Sequence, residues 1–253
     1  MSPLEIALIV FACVFGAAML GLFIGNALPD HHLSPDTKDV VKLATALIAT
    51  MAALVLSLLI SSAKSSFDKM SEELLQNAAR VVTFDRALAD YGAETRELRD
   101  LLKHAYAARI ELLFPVDTSR AATLDSPEQN VRAEGLRTKL WELSPQTEAQ
   151  RELRSQAVEI ANEMLSTRWL QLLQNEKSVP VTLLVVLVSW LAIIFATFGL
   201  FAPRNATVVA ALLVCALSVA GAILLIIEMD SPFSGLMRVS SAPMRDALAH
   251  LGK

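Results

Sequence analysis

The sequence predicts an all-α membrane protein with four spans and a helical domain between the second and third. Three observations point there. Four apolar stretches, roughly 6–27, 40–59, 181–201 and 207–227, are each about 20 residues long, the length a helix needs to cross the hydrocarbon core. They form two pairs around a charged region large enough for a core of its own. Nowhere does a Val/Ile/Thr-rich alternating run suggest a strand.

Composition narrows the function classes. The 253 residues are 54% hydrophobic with a mean hydropathy of +0.47. The region 61–178 carries 16 Lys and Arg against 19 Asp and Glu, so it lacks the basic excess of a nucleic-acid binder. Cys13 and Cys215 both fall inside predicted spans, where buried cysteines act as small hydrophobes. A disulfide between them would need spans one and four to touch at that depth and is not expected; no CxxC or Cys/His cluster suggests a metal site. Met1–Glu5 has no Lys or Arg and the apolar run is long for a signal peptide, so the first span is expected to be retained.

Positive charge near span ends sets orientation. With four spans, both termini and the middle domain share one side. That side carries Lys64, Lys69, Arg80, Arg168, Lys177, Arg238 and Arg245, against Lys38, Lys42 and Arg204 on the other. The excess places the middle domain and both termini in the cytoplasm. The expected divisions are 1–62 for the first two spans, 63–178 for the middle domain, 179–229 for the last two spans and 230–253 for the tail.

Span one carries Ala17, Gly21 and Gly25 at four-residue spacing, a stripe that lets helices approach closely in lipid. His31 and His32 in the following loop read as solvated residues. Ser34-Pro35 reads as N-cap and first helical position. From Asp36 to Tyr91 there is no Pro or Gly, and Gly92 follows as a helix stop. The prediction is one helix of about 55 residues, roughly 80 Å long at 1.5 Å rise per residue. Its second half repeats every seven residues through Phe67, Met70, Leu74, Asn77, Val81, Phe84, Leu88 and Tyr91. That pattern suits packing between chains, with Asn77 setting register, or packing of an amphipathic helix on its own domain. Further helices are predicted over Glu94–Phe114, from Ser126-Pro127 to Leu143, and from Ser144-Pro145 to Lys177. Trp169 and Trp190 read as packing or interface residues. Span four carries Ala211, Cys215, Ser218 and Ala222 on one stripe, again a close-packing pattern. A short amphipathic helix, Met244–Leu251, closes the chain.

No paired carboxylates, Ser/His/Asp set, P-loop or HExxH motif occurs in a convincing context. An enzyme is disfavoured and no cofactor is expected. His104 and His250 read as surface residues, and Glu72-Glu73, Glu159 and Glu163 as solvated faces. Span two is more suggestive: Ala46, Thr50, Ala53, Ser57, Ser61 and Lys64 share one helical face. Such a face commonly packs on a neighbouring helix; with several copies around an axis, it lines a conduit. Glu228 and Asp230 end span four, and Pro232, Phe233 and Gly235 turn the chain. Carboxylates at a membrane boundary are either hydrated or functional.

Phe84-Asp85-Arg86-Ala87-Leu88-Ala89-Asp90-Tyr91-Gly92, Phe198-Gly199-Leu200-Phe201-Ala202-Pro203-Arg204-Asn205, the Glu228–Gly235 segment and Ala242-Pro243-Met244-Arg245 resemble the bestrophin-like domain of bacterial membrane proteins. The resemblance runs over nearly the whole chain. More distantly, it implies the bestrophin plan: a pentameric anion channel with four spans, cytoplasmic termini, a helical cytoplasmic domain and a second span lining the pore. Pro232-Phe233-Ser234-Gly235 looks like the bestrophin Asn-Pro-Phe-Gly segment. Leu236-Met237-Arg238-Val239 follows without an acidic run, so the family's calcium clasp is not carried over. Span two has no Phe before Phe67, so its aromatic gate is not carried over either.

The expected function is therefore a homo-oligomeric ion channel of the bacterial inner membrane. Thr50, Ala53, Ser57 and Ser61 would line the pore, with Lys64 at the inner mouth. Its partners would be further copies of the chain, membrane lipid and inorganic ions, not nucleic acid. The alternative is a non-conducting scaffold or signalling protein that binds other chains through its cytoplasmic helices.

Overall fold

In the computed structural model, residues 2–27, 35–115, 127–173, 180–233, 235 and 237–253 are described. Every regular element among them is helical: α1 Pro3–Ala27, α2 Pro35–Tyr91, α3 Arg96–Leu113, α4 Pro127–Glu142, α5 Glu148–Leu173, α6 Val181–Phe201, α7 Ala206–Met229 and α8 Ala242–His250, with one 3-10 turn at Ala93–Thr95. Four of these helices, α1, α2, α6 and α7, are long and apolar enough to cross a membrane. The chain divides into two compact units, residues 1–67 with 177–237 and residues 68–176 with 238–253, so α2 contributes to both. His31, His32, Ser34, Ser126 and Lys177 lie outside the described residues.

The first unit is organised around close helix contact. A Cβ added to Gly21 would lie 2.0 Å from the Ala196 carbonyl oxygen, and one added to Gly199 would lie 2.0 Å from that of Ala18. Only hydrogen fits there, so α1 and α6 touch backbone to backbone, a contact lipid cannot replace. Val10, Val14, Ala18 and Leu22 of α1 pack with Phe195 of α6 and with Leu212, Ala216 and Ile223 of α7. A second apolar cluster joins Ala52, Leu59 and Ala63 of α2 to Leu187 and Ile194 of α6 and Ile226 of α7, with Trp190 packed against it.

The expected stripe on span four is displaced. Ala211, Cys215 and Ser218 are exposed, and the packed face runs through Leu212, Ala216, Ala220 and Ile223. Periodicity shows that a stripe exists, whereas which face packs depends on the neighbours. Cys13 and Cys215 are likewise exposed free thiols rather than core residues.

The second unit closes on a core of Phe84, Ala87 and Leu88 from α2, Leu98 and Leu102 from α3, Leu140 from α4 and Ala157 from α5. Phe84 and Leu88 are heptad positions, so that stripe is consumed at least in part by its own unit. Asn77 is buried there with its side-chain oxygen unpartnered. Gly92, at φ 138°, breaks α2, and the single Thr95 hydroxyl hydrogen is shared between the Leu88 and Gly92 carbonyls, in the last turn where helix carbonyls are left open. The fourth predicted helix starts later than Ser144-Pro145. The Thr147 hydroxyl accepts the Gln150 N–H at 3.2 Å and the Gln150 side chain accepts the Gln146 N–H at 2.8 Å, so Thr147 is the cap. Arg154 donates to the Trp141 carbonyl at 2.9 Å and lies over the Trp141 ring, tying the end of α4 to α5.

Candidate functional site: the outer face of α2 and the Glu228 turn

At 100° per residue, Ala52, Leu59 and Ala63 lie on the side of α2 that packs on α6 and α7. Thr50, Ala53, Ser57, Ser61 and Lys64 lie roughly 100° to 180° around the helix from Ala52, and all five are exposed. The small and hydroxyl-bearing face is therefore not used to pack the chain on itself. Beside it, Leu43, Leu47, Leu54 and Leu58 form a second exposed strip, each more than 60% accessible. One helix thus presents two unlike outward faces, one hydroxyl-bearing, the other aliphatic. The Thr50 hydroxyl donates to the Leu47 carbonyl at 2.7 Å, so its hydrogen is used within the helix and its oxygen remains an acceptor.

The turn after span four is built around one carboxylate. Glu228 is 5% exposed. Its Oε2 accepts the Met237 N–H at 3.3 Å, and a Cβ on Gly235 would sit 2.0 Å from that same oxygen. Gly235 adopts φ 85°, a conformation that favours glycine. Pro232 and Phe233 are half-buried in the intervening turn, and Asp230 is the C-cap of α7. The carboxylate gathers the turn onto the end of α7. Among the described residues no cluster of three or more His, Cys, Asp or Glu suits a metal ion.

The other motif stretches also have structural roles. Arg204 donates to the Leu22 carbonyl at 2.6 Å, in the last turns of α1, where a cation complements the helix dipole. Asn205 caps α7 by accepting the Val208 N–H at 2.8 Å. Asp85 accepts two bonds from Arg99 at 2.8 Å and the Gly252 N–H at 3.1 Å. Arg99 and Lys103 donate to the Lys253 and Leu251 carbonyls at 2.9 and 3.1 Å, so the segment after α8 is pinned to α2 and α3. Met244 of α8 is fully buried. The polar members of these stretches work as caps and pins.

Four apolar helices of spanning length and an all-helical second unit define an α-helical membrane protein. Residues 12–244 match the family model of the Bestrophin-like domain, and the chain belongs to that family. No curated protein and no solved structure matches it significantly.

Proposed function

We propose that the chain is a homo-oligomeric ion channel whose second span lines the pore. The observation that carries this reading is the exposed face of Thr50, Ala53, Ser57, Ser61 and Lys64, opposite the face of α2 that packs. A hydroxyl facing hydrocarbon without a partner costs about 1–3 kcal/mol by mutational measures. Copies arranged around an axis give this face water, while the Leu43–Leu58 strip meets lipid or the adjoining subunit. Membership of the Bestrophin-like domain family supports the same plan, with a pentamer, the bacterial inner membrane, and both termini and the second unit on the cytoplasmic side. Lys64 then stands at the inner mouth, and the Glu228 turn shapes the end of span four. A scaffold acting through the α2 heptads has less support, because Phe84 and Leu88 are spent in the unit's own core.

Cysteine accessibility tests the pore face. In a Cys13→Ala/Cys215→Ala background reconstituted in lipid, Ser57→Cys and Ala53→Cys are expected to react with a charged, membrane-impermeant thiol reagent. Leu54→Cys and Leu58→Cys are expected to react at least tenfold more slowly. Equal rates on both faces would remove the basis for a pore-lining α2.

A further inference from the structure

The first unit holds a half-open groove of about 420 Å³ between α2 and α6. Its walls are Thr45, Ala46 and Ala49 from α2 and Thr197, Phe198 and Phe201 from α6, most of them apolar. The Thr197 hydroxyl is spent on the Ile193 carbonyl at 2.9 Å. Lys42, which also lines the groove, pairs with Asp39 at 3.2 Å, so charge does not choose the occupant. An apolar hollow of about 150 Å³ already takes a benzene-sized group. This one has room for two branched aliphatic side chains.

Angular position on α2 bears on what fills it. At about 100° per residue, Lys42, Thr45, Ala46 and Ala49 lie roughly 20° to 120° around the helix from Ala52. The hydroxyl-bearing face follows at roughly 100° to 180°, and Leu43, Leu47, Leu54 and Leu58 follow at roughly 180° to 240°. The groove and the leucine strip therefore flank the hydroxyl-bearing face on opposite sides. In a ring of copies closed around that face, each α2 turns one flank to the copy ahead and the other to the copy behind. Such head-to-tail contact pairs two different patches. An axis along the membrane normal also keeps all copies at one depth, so a residue meets neighbours of its own level. Leu43 and Leu47 stand at the level of Thr45, Ala46 and Ala49, within about one turn of helix. They are 73% and 64% exposed, and Phe198 across the groove is 52% exposed.

We infer that the groove of one copy receives Leu43 and Leu47 of the next. The inference rests on the pore reading of α2 and names the contact that closes the ring. Between helices in lipid the gain comes from van der Waals packing rather than from the hydrophobic effect, and a concave wall supplies more of it than a flat helix face.

Cross-linking between differently tagged copies tests it. Full-length chains carrying Leu47→Cys and chains carrying Phe198→Cys, each in the Cys13→Ala/Cys215→Ala background, are co-expressed and oxidised in the membrane with copper phenanthroline. A disulfide-linked dimer bearing both tags is expected, at least tenfold above the dimer from either variant alone or from Leu47→Cys with Val185→Cys. Val185 is also exposed on α6 but stands about 20 Å along the helix from Phe198. Ala46→Trp, which fills the groove, is expected to cut the oligomer fraction on size exclusion at least tenfold with the helical circular dichroism retained. If Ala46→Trp does not fold, the mixed dimer decides. Intact oligomers that give no mixed dimer, the result expected of a lipid tail in the groove, would overturn the inference and leave the pore reading standing. A Leu47→Cys dimer as abundant as the mixed one, or Ala46→Trp oligomers of native size, would do the same. A native protein that is monomeric in lipid would remove both.

Discussion

Single side chains in this protein are decided by what surrounds them. Gly21 and Gly199 matter because a carbonyl of the facing helix occupies the place of a Cβ. Gly21→Val or Gly199→Val should therefore separate α1 from α6 and abolish recovery of monodisperse protein. Gly16→Ala and Gly221→Ala, where nothing lies within 4 Å of the added carbon, should leave yield and thermal stability unchanged; size-exclusion profiles of the four variants check this. Tyr106 shows the same dependence on surroundings in its ionisation. Burial pushes its phenol up to about 12, against about 10 when unfolded. The neutral form is favoured by folding, so the contribution to stability is intact below pH 10 and is lost as pH rises toward 12. Its size is about 2–3 kcal/mol, from 1.36 kcal/mol per pH unit. A spectrophotometric titration should show a late phenolate step from Tyr106. Tyr106→Phe should remove that step and reduce the loss of stability between pH 10 and 12.

At the scale of elements, legibility followed how local the cause was. The 57-residue α2 was readable because breaking a helix takes a Pro, a Gly or a stop, and none occurs between Asp36 and Tyr91. The start of α5 was misread because Ser144-Pro145 is a good helix start by itself, while Thr147 and Gln150 together make the better cap. The packed stripe of α7 was placed on the wrong face because small residues line more than one side of it. The proximity of Arg109, Arg137 and Arg168, which line one hollow of the second unit, left no trace in sequence, because the packing of three helices brings them together. Asp85 and Arg99 show a tertiary cause of the same kind. Their pair is largely buried, with side chains 4% and 16% exposed, and it also holds the segment after α8. Removing one partner of a buried pair costs about 3–5 kcal/mol. Asp85→Ala should lower the denaturation midpoint of the protein and speed amide exchange at Gly252, as hydrogen-exchange mass spectrometry would register.

On the scale of the whole molecule, the two units divide the work of their sequences differently. The second unit turns α2 heptad positions, Phe84 and Leu88 among them, into core. In the first unit, α2 leaves both a hydroxyl-bearing face and an aliphatic strip outside its packed side. An apolar strip is at home in lipid, whereas hydroxyl-bearing side chains within the span, such as Ser57, are less so. On the proposed reading, assembly around an axis accommodates both, which makes conduction the property to measure. The most direct measurement is a planar-bilayer recording of the purified oligomer beside its Ser57→Trp variant. The expected result is discrete single-channel current from the native protein and at least a tenfold loss of current in Ser57→Trp at unchanged oligomer size. Folded oligomers that pass no more current than a protein-free bilayer, or a Ser57→Trp variant that conducts like the native protein, would contradict it.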